Sequence, residues 1–216
     1  MRGKNVLILL LCMMPFLCAP VFAQKFSDEM QAVYDACMKM RNAIGSGNIV
    51  GLRAANKAFK KCDTGHFGVL RSFNREPLSL NGHFVFDDVF VDSLIAGRNV
   101  YGFAQRYAED RTIRSTSSSG KIFDRTCLVG KMSGVKYSMP AKGRQELAVV
   151  TEPGGMVTLR IYDKRHDKWY NDTEDVKNGR ISRRMVIDLP ENETSILEIE
   201  VINTTEKDIS FVIIGN

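Results

Sequence analysis

Val157-Thr158-Leu159-Arg160-Ile161 and Leu197-Glu198-Ile199-Glu200-Val201 decide the fold. In both stretches an apolar residue returns at every second position. That period belongs to a β-strand with one face on a core and the other toward water. Working outward, the same reading places strands at 121–129, 134–139, 145–151, 156–163, 181–188, 195–203 and 208–214. Turn residues separate them: Pro140 to Gly143, Pro153-Gly154-Gly155, Asn178-Gly179 and Pro190 to Asn192. Short strands at this spacing, with no helices between them, predict an antiparallel, jelly-roll-like β-sandwich over residues 115–216. In the last strand Ile209, Phe211 and Ile213 alternate with Val212 and Ile214, so it is apolar on both faces. Such a strand belongs at the centre of a sheet.

Upstream of Ser115-Thr116-Ser117-Ser118-Ser119-Gly120 the period changes to that of a helix. Phe26, Met30, Val33, Cys37, Met40 and Ile44 predict a helix over 27–44, capped by Ser27. Gly45-Ser46-Gly47 breaks it, and Asn48 can cap a second helix to about Lys61. The short break makes the pair an antiparallel hairpin. His83-Phe84-Val85-Phe86 reads as a strand, Asp87-Asp88 as the cap of a short helix through Leu94, and 99–109 as a further helix. The fold class is therefore α+β: a helical N-terminal region, 24–114, followed by the sandwich.

Residues 1–23 have the three parts of a secretory signal peptide. Arg2 and Lys4 form a basic start, Val6 to Leu17 an apolar run, and Val21-Phe22-Ala23 a small-x-small ending. The expected product begins at Gln24 and is exported, to the periplasm or the outside of the cell. No later stretch is apolar enough for a transmembrane helix. The leader takes two of the thirty basic residues, which leaves 28 against 25 acids and a net charge of +3. That is too little to imply nucleic acid as a partner. Of five cysteines, Cys37, Cys62 and Cys127 stay with the exported chain. An oxidising compartment permits a Cys37–Cys62 bridge with Cys127 as a core thiol; the other reading is three reduced, buried cysteines.

Few residues point to chemistry. There is no G-x-S-x-G nucleophile elbow, no H-E-x-x-H and no paired C-x-x-C. Asp163, Asp167, Asn171, Asp172 and Asp175 crowd one long segment and form the one candidate cation site, for calcium, which takes hard oxygen ligands from loops. The same segment holds Trp169, the only tryptophan, beside Tyr170. An exposed aromatic pair of this kind can stack on a sugar ring or fill a partner's pocket. Asp87, Asp88 and Asp92 are the carboxylates from which a hydrolytic pair could be drawn, with a histidine beside them.

Gln145 to Gly155, Trp169-Tyr170-Asn171-Asp172 and Ile209 to Ile214, with Gly82-His83 to Asp92, resemble a group of uncharacterised secreted proteins from Bacteroidetes-type bacteria. More loosely, the β half is similar to the pre-peptidase C-terminal domains appended to secreted bacterial peptidases. The resemblance implies export and a sandwich, without an activity. The expected function is a non-catalytic binding protein with a protein or glycan partner in the cell envelope and no cofactor beyond the candidate calcium. The alternatives are a hydrolase acting on envelope or dietary polymers and a structural envelope component.

Overall fold

The computed structural model describes residues 25–73, 82–97, 122–171 and 179–216. The leader, the helix expected over 99–109, the serine-rich stretch, Asn178, Asp172 and Asp175 lie outside them. Helix α1 spans Asp28–Gly45 and α2 Ile49–Phe59. The Ser27 hydroxyl accepts from the Met30 amide, and the Asn48 side chain from Gly51. Both satisfy amide groups left over at a helix start. Between the helices Gly47 sits at φ +66°, a conformation that favours glycine. Helix α3, Asp88–Ile95, starts from Asp87, whose carboxylate accepts from the Val89 and Phe90 amides at 3.0 and 3.1 Å.

Ten strands follow the chain as β1 (Thr64–His66), β2 (Arg71–Ser72), β3 (Ile122–Val129), β4 (Gly134–Ala141), β5 (Arg144–Thr151), β6 (Val157–Asp163), β7 (Lys168–Asn171), β8 (Ser182–Asp188), β9 (Ser195–Asn203) and β10 (Ile209–Gly215). They form two sheets, A in the order β1-β3-β10-β5-β8 and B in the order β2-β4-β9-β6-β7. Strands β3 to β10 are antiparallel throughout and, apart from the β6–β7 hairpin within sheet B, alternate between the sheets in the way of a jelly roll. Only β1 pairs in parallel, with β3.

The molecule has three layers. Leu147, Val149, Phe211 and Ile213 of sheet A meet Leu159, Ile161, Leu197 and Ile199 of sheet B in one core. Ala148, Val150, Val212 and Ile214 project the other way, under Met30, Val33, Cys37, Leu52 and Phe59 of the helices. Two-sided burial is why β10 is apolar on both parities. None of the described helices packs on sheet B, whose central strand β9 keeps Leu197, Ile199 and Val201 inside and Glu198 and Glu200 outside.

Two expectations are corrected. His83 to Phe86 is not a strand but an extended segment fixed to sheet A by side chains. Glu152 accepts from the Phe84 amide at 3.1 Å, the Ser210 hydroxyl donates to the Phe84 carbonyl at 2.7 Å, and the Phe86 amide donates to Thr126 at 3.2 Å. Its aromatic side chains then pack edge-on, Phe84 against Phe86 and Phe90. The second correction concerns the cysteines. Cys37, Cys62 and Cys127 are free thiols, and Cys62 lies beyond the end of α2 with its thiol toward the Ala58 carbonyl. Burial is the chief force raising all three thiol pKa values, which disfavours the reactive thiolate.

Candidate functional site

The outer face of sheet B carries a row of polar and aromatic side chains. It is built from the register. Across β4, β9, β6 and β7 one row runs Ser138, Glu198, Tyr162, Trp169, and the adjacent row begins Lys136, Glu200, Arg160. Residues opposite one another on one face are in side-chain contact distance. Trp169 and Tyr162 accordingly stack with ring centroids 4.9 Å apart and planes tilted by 34°. The Arg160 guanidinium carbon lies 4.5 Å from the indole centroid, a cation–π contact. Trp169 remains 47% exposed despite both contacts, so much of the indole faces solvent.

The charges nearest Trp169 are paired. Arg160 Nη1 reaches Glu200 Oε2 at 3.1 Å, and Lys136 Nζ reaches Glu200 Oε1 at 3.4 Å. Lys164 Nζ holds Glu198 Oε1 at 2.6 Å. The Tyr162 hydroxyl donates to Asp167 Oδ1 at 2.7 Å, and that bond is the first cause of its raised pKa.

The candidate aromatic pair is divided by the strand. Tyr170 stands opposite Ile161 and packs toward the inter-sheet core, with Lys168 Nζ 4.5 Å over its ring. Only Trp169 belongs to the outer face, because successive strand residues point to opposite sides. As far as Asn171, the segment that holds the candidate cation ligands is part of the β6–β7 hairpin. Its turn is shaped by Asp163, which is fully buried. Asp163 accepts from the Ser195 hydroxyl, from His166 Nδ1 at 2.6 Å and from the Arg165 amide at 3.1 Å. Burial alone would raise its pKa, but these donors hold it below the ordinary carboxylate range. Of the proposed calcium ligands, Asp163 is thus engaged in the turn and Asp167 accepts from Tyr162. The Asn171 side chain, Asp172 and Asp175 fall outside the described residues. No group of three metal-ligating side chains occurs among the described residues.

The carboxylates considered for hydrolysis are engaged in local structure. Asp87 caps α3, and Asp92 accepts from Asn56 at 2.8 Å and pairs with Lys60. Asp88 is the first residue of α3, and its carbonyl accepts from Asn56 at 3.2 Å. His83 Nδ1 contacts Glu152 at 3.0 Å instead. Sequence reasoning missed Tyr162, Arg160, Glu198, Glu200 and Lys136 as a group. The alternation of β6 and β9 carried a signal that they face outward, but their mutual placement depends on register.

Fold and site define an α+β protein: a jelly roll with one sheet under helices and the other open. No family model and no curated protein matches the chain. Among solved structures it is similar to the Yersinia pseudotuberculosis-derived mitogen, with a TM-score of 0.36 and 10% identity over 44% of this chain and 85% of that one. The periplasmic g-type lysozyme inhibitor of Salmonella Typhimurium gives 0.32 and 12% over 46% and 90%. The pre-peptidase C-terminal domain of a Bacillus anthracis collagenase gives 0.28 and 10% over 43% and 89%. Nothing matched bears on the likeness to Bacteroidetes-type proteins. No described helix is long and apolar enough to cross a membrane.

Proposed function

We propose that this is an exported, non-catalytic binding protein that meets a partner in the cell envelope through the outer face of sheet B, with Trp169 at the centre of the contact. One observation carries the reading: a half-exposed indole held on a rigid strand by Tyr162 and Arg160. Large aromatics in a fixed orientation contribute much contact area and lose little conformational entropy on binding. The leader-like residues 1–23 support export. The engagement of Asp87 in the α3 cap, of Asp92 with Lys60 and of His83 with Glu152 favours this reading over a hydrolase.

Because Trp169 is the only tryptophan, intrinsic fluorescence reports on this face alone. Titration with envelope glycans and peptides is expected to shift its emission. Trp169→Ala is expected to weaken binding about tenfold or more, with an unchanged far-ultraviolet dichroism spectrum. A partner that binds without moving the emission, and equally well to Trp169→Ala, refutes the proposal.

A second reading, a structural component assembled through the helical hairpin, draws on Ile49 and Val50, which are 45% and 77% exposed at the start of α2. A sedimentation profile that stays monomeric at high concentration counts against it.

A further inference from the structure

We infer that the ligand of this face is an uncharged, polyhydroxylated chain, a neutral glycan; the inference rests on the reading that the outer face of sheet B is the contact surface. Among the described residues nearest Trp169, three cations are matched by three carboxylates. Lys136, Arg160 and Lys164 stand against Glu198, Glu200 and Asp167. Each of the two glutamates already has a cation within 3.4 Å. Arg71 lies opposite Ser138, on the far edge strand and away from the indole. A polyanion would have to compete with Glu198 and Glu200 for their cations, and a polycation with Lys136, Arg160 and Lys164 for their carboxylates. Neither gains the uncompensated field that attracts a highly charged chain.

What the face leaves open is hydrogen-bonding capacity. Arg160 uses Nη1 on Glu200, and its Nη2 makes no hydrogen bond among the described residues. Glu198 engages Lys164 through Oε1, and its Oε2 has no partner among the described residues. The Tyr162 oxygen donates to Asp167 and retains its acceptor capacity, and the Ser138 hydroxyl is next along the row. Donors and acceptors are thus interspersed. A hydroxyl, which both donates and accepts, suits such a mixture better than a group that does only one. From Ser138 to Trp169 the row crosses three strand spacings, about 14 Å, enough for a short oligosaccharide laid across the strands. The apolar C–H face of a sugar ring covers the solvent side of the indole while its hydroxyls reach the row.

The test uses the purified protein, with tryptophan emission and affinity electrophoresis as readouts. The probes are neutral mannan, mixed-linkage β-glucan and galactan, with polygalacturonate and heparin as acidic polymers. At least one neutral polymer is expected to bind and shift the emission. Its affinity is expected to change less than about twofold between low salt and about 0.5 M salt, since screening acts only on net charge interactions. Trp169→Ala should weaken that binding about tenfold and Glu198→Ala about fivefold, the latter without altering the emission of the free protein. Binding only to the acidic polymers and lost in salt, or binding to none of the five, overturns the inference. If Trp169→Ala abolishes binding of an acidic polymer, the contact surface stands and the ligand class falls. If a neutral polymer binds both variants as tightly as the parent protein, the surface itself falls.

Discussion

Replacing Glu146 by glutamine should loosen the helical layer from the sandwich. Glu146 lies on β5 and is only 2% exposed. Its carboxylate accepts from the Ser27 amide at 2.9 and 3.0 Å, from the Ser27 hydroxyl at 2.7 Å and from Arg144 Nε at 2.9 Å. Arg144 also donates to the Lys25 carbonyl at 2.6 Å. The residue that caps α1 is therefore pinned to sheet A by one buried charge. An amide of the same shape keeps some of these bonds but loses the charge that strengthens them. Its NH2 group also faces donors it cannot satisfy. Hydrogen bonds to a charged group contribute about 1.5–3 kcal/mol each, and a neutral acceptor retains roughly half of that, so the expected loss is about 2–3 kcal/mol.

For a chain of this size that lowers Tm by about 5–10 °C. The effect should depend on pH. Burial pushes the Glu146 carboxyl up, but Ser27 and Arg144 outweigh burial and hold its pKa below the ordinary value of 4.5. A lowered native pKa stabilises the fold above the unfolded pKa, and the contribution disappears as pH falls through the native value. Urea unfolding of both proteins at pH 7 and at pH 3 measures this directly. The difference between them should be full at pH 7 and shrink at pH 3. A difference under about 0.5 kcal/mol at pH 7, or one that is equal at both pH values, refutes the argument.

Asp163→Asn should cost about 2 kcal/mol at neutral pH, because it removes the charge that Ser195 and His166 hold inside the β6–β7 turn; a red shift of Trp169 emission would report the loosened hairpin. Phe211→Ala, at the fully buried centre of the inter-sheet core, should lose about 3–5 kcal/mol by denaturant unfolding, since it leaves a cavity between two sheets that cannot both collapse into it. Thiol titration of a native protein that starts at Gln24 should show buried Cys37 and Cys127 unreactive and half-buried Cys62 slow, with three thiols appearing on unfolding. A count of one would mean that two are bridged.

The alternation in 157–161 and 197–201, the caps at Ser27, Asn48 and Asp87, and the two-sided apolarity of 209–214 are all legible in the order of the amino acids. Each rests on residues a few positions apart, and local periodicity decides which way such residues point. The same reasoning places Cys127 in a strand. It does not find β7, whose four residues are too few to show a period and lie among charges. Nor does it show that His83 to Phe86 bonds to side chains of Glu152, Ser210 and Thr126, which lie 40 to 126 positions away. The candidate site divides in the same way. Trp169 is visible as a lone tryptophan in a polar setting, but its separation from Tyr170 follows from strand pairing with β6. Which sheet carries the helices, and hence which face stays open around Trp169, is decided by tertiary structure alone. The apolar surface that α1, α2 and α3 must bury is met only by sheet A, whose β5 and β10 are apolar on both sides, whereas the outward Glu198, Glu200, Lys136 and Arg160 of sheet B would have to be stripped of water under a helix.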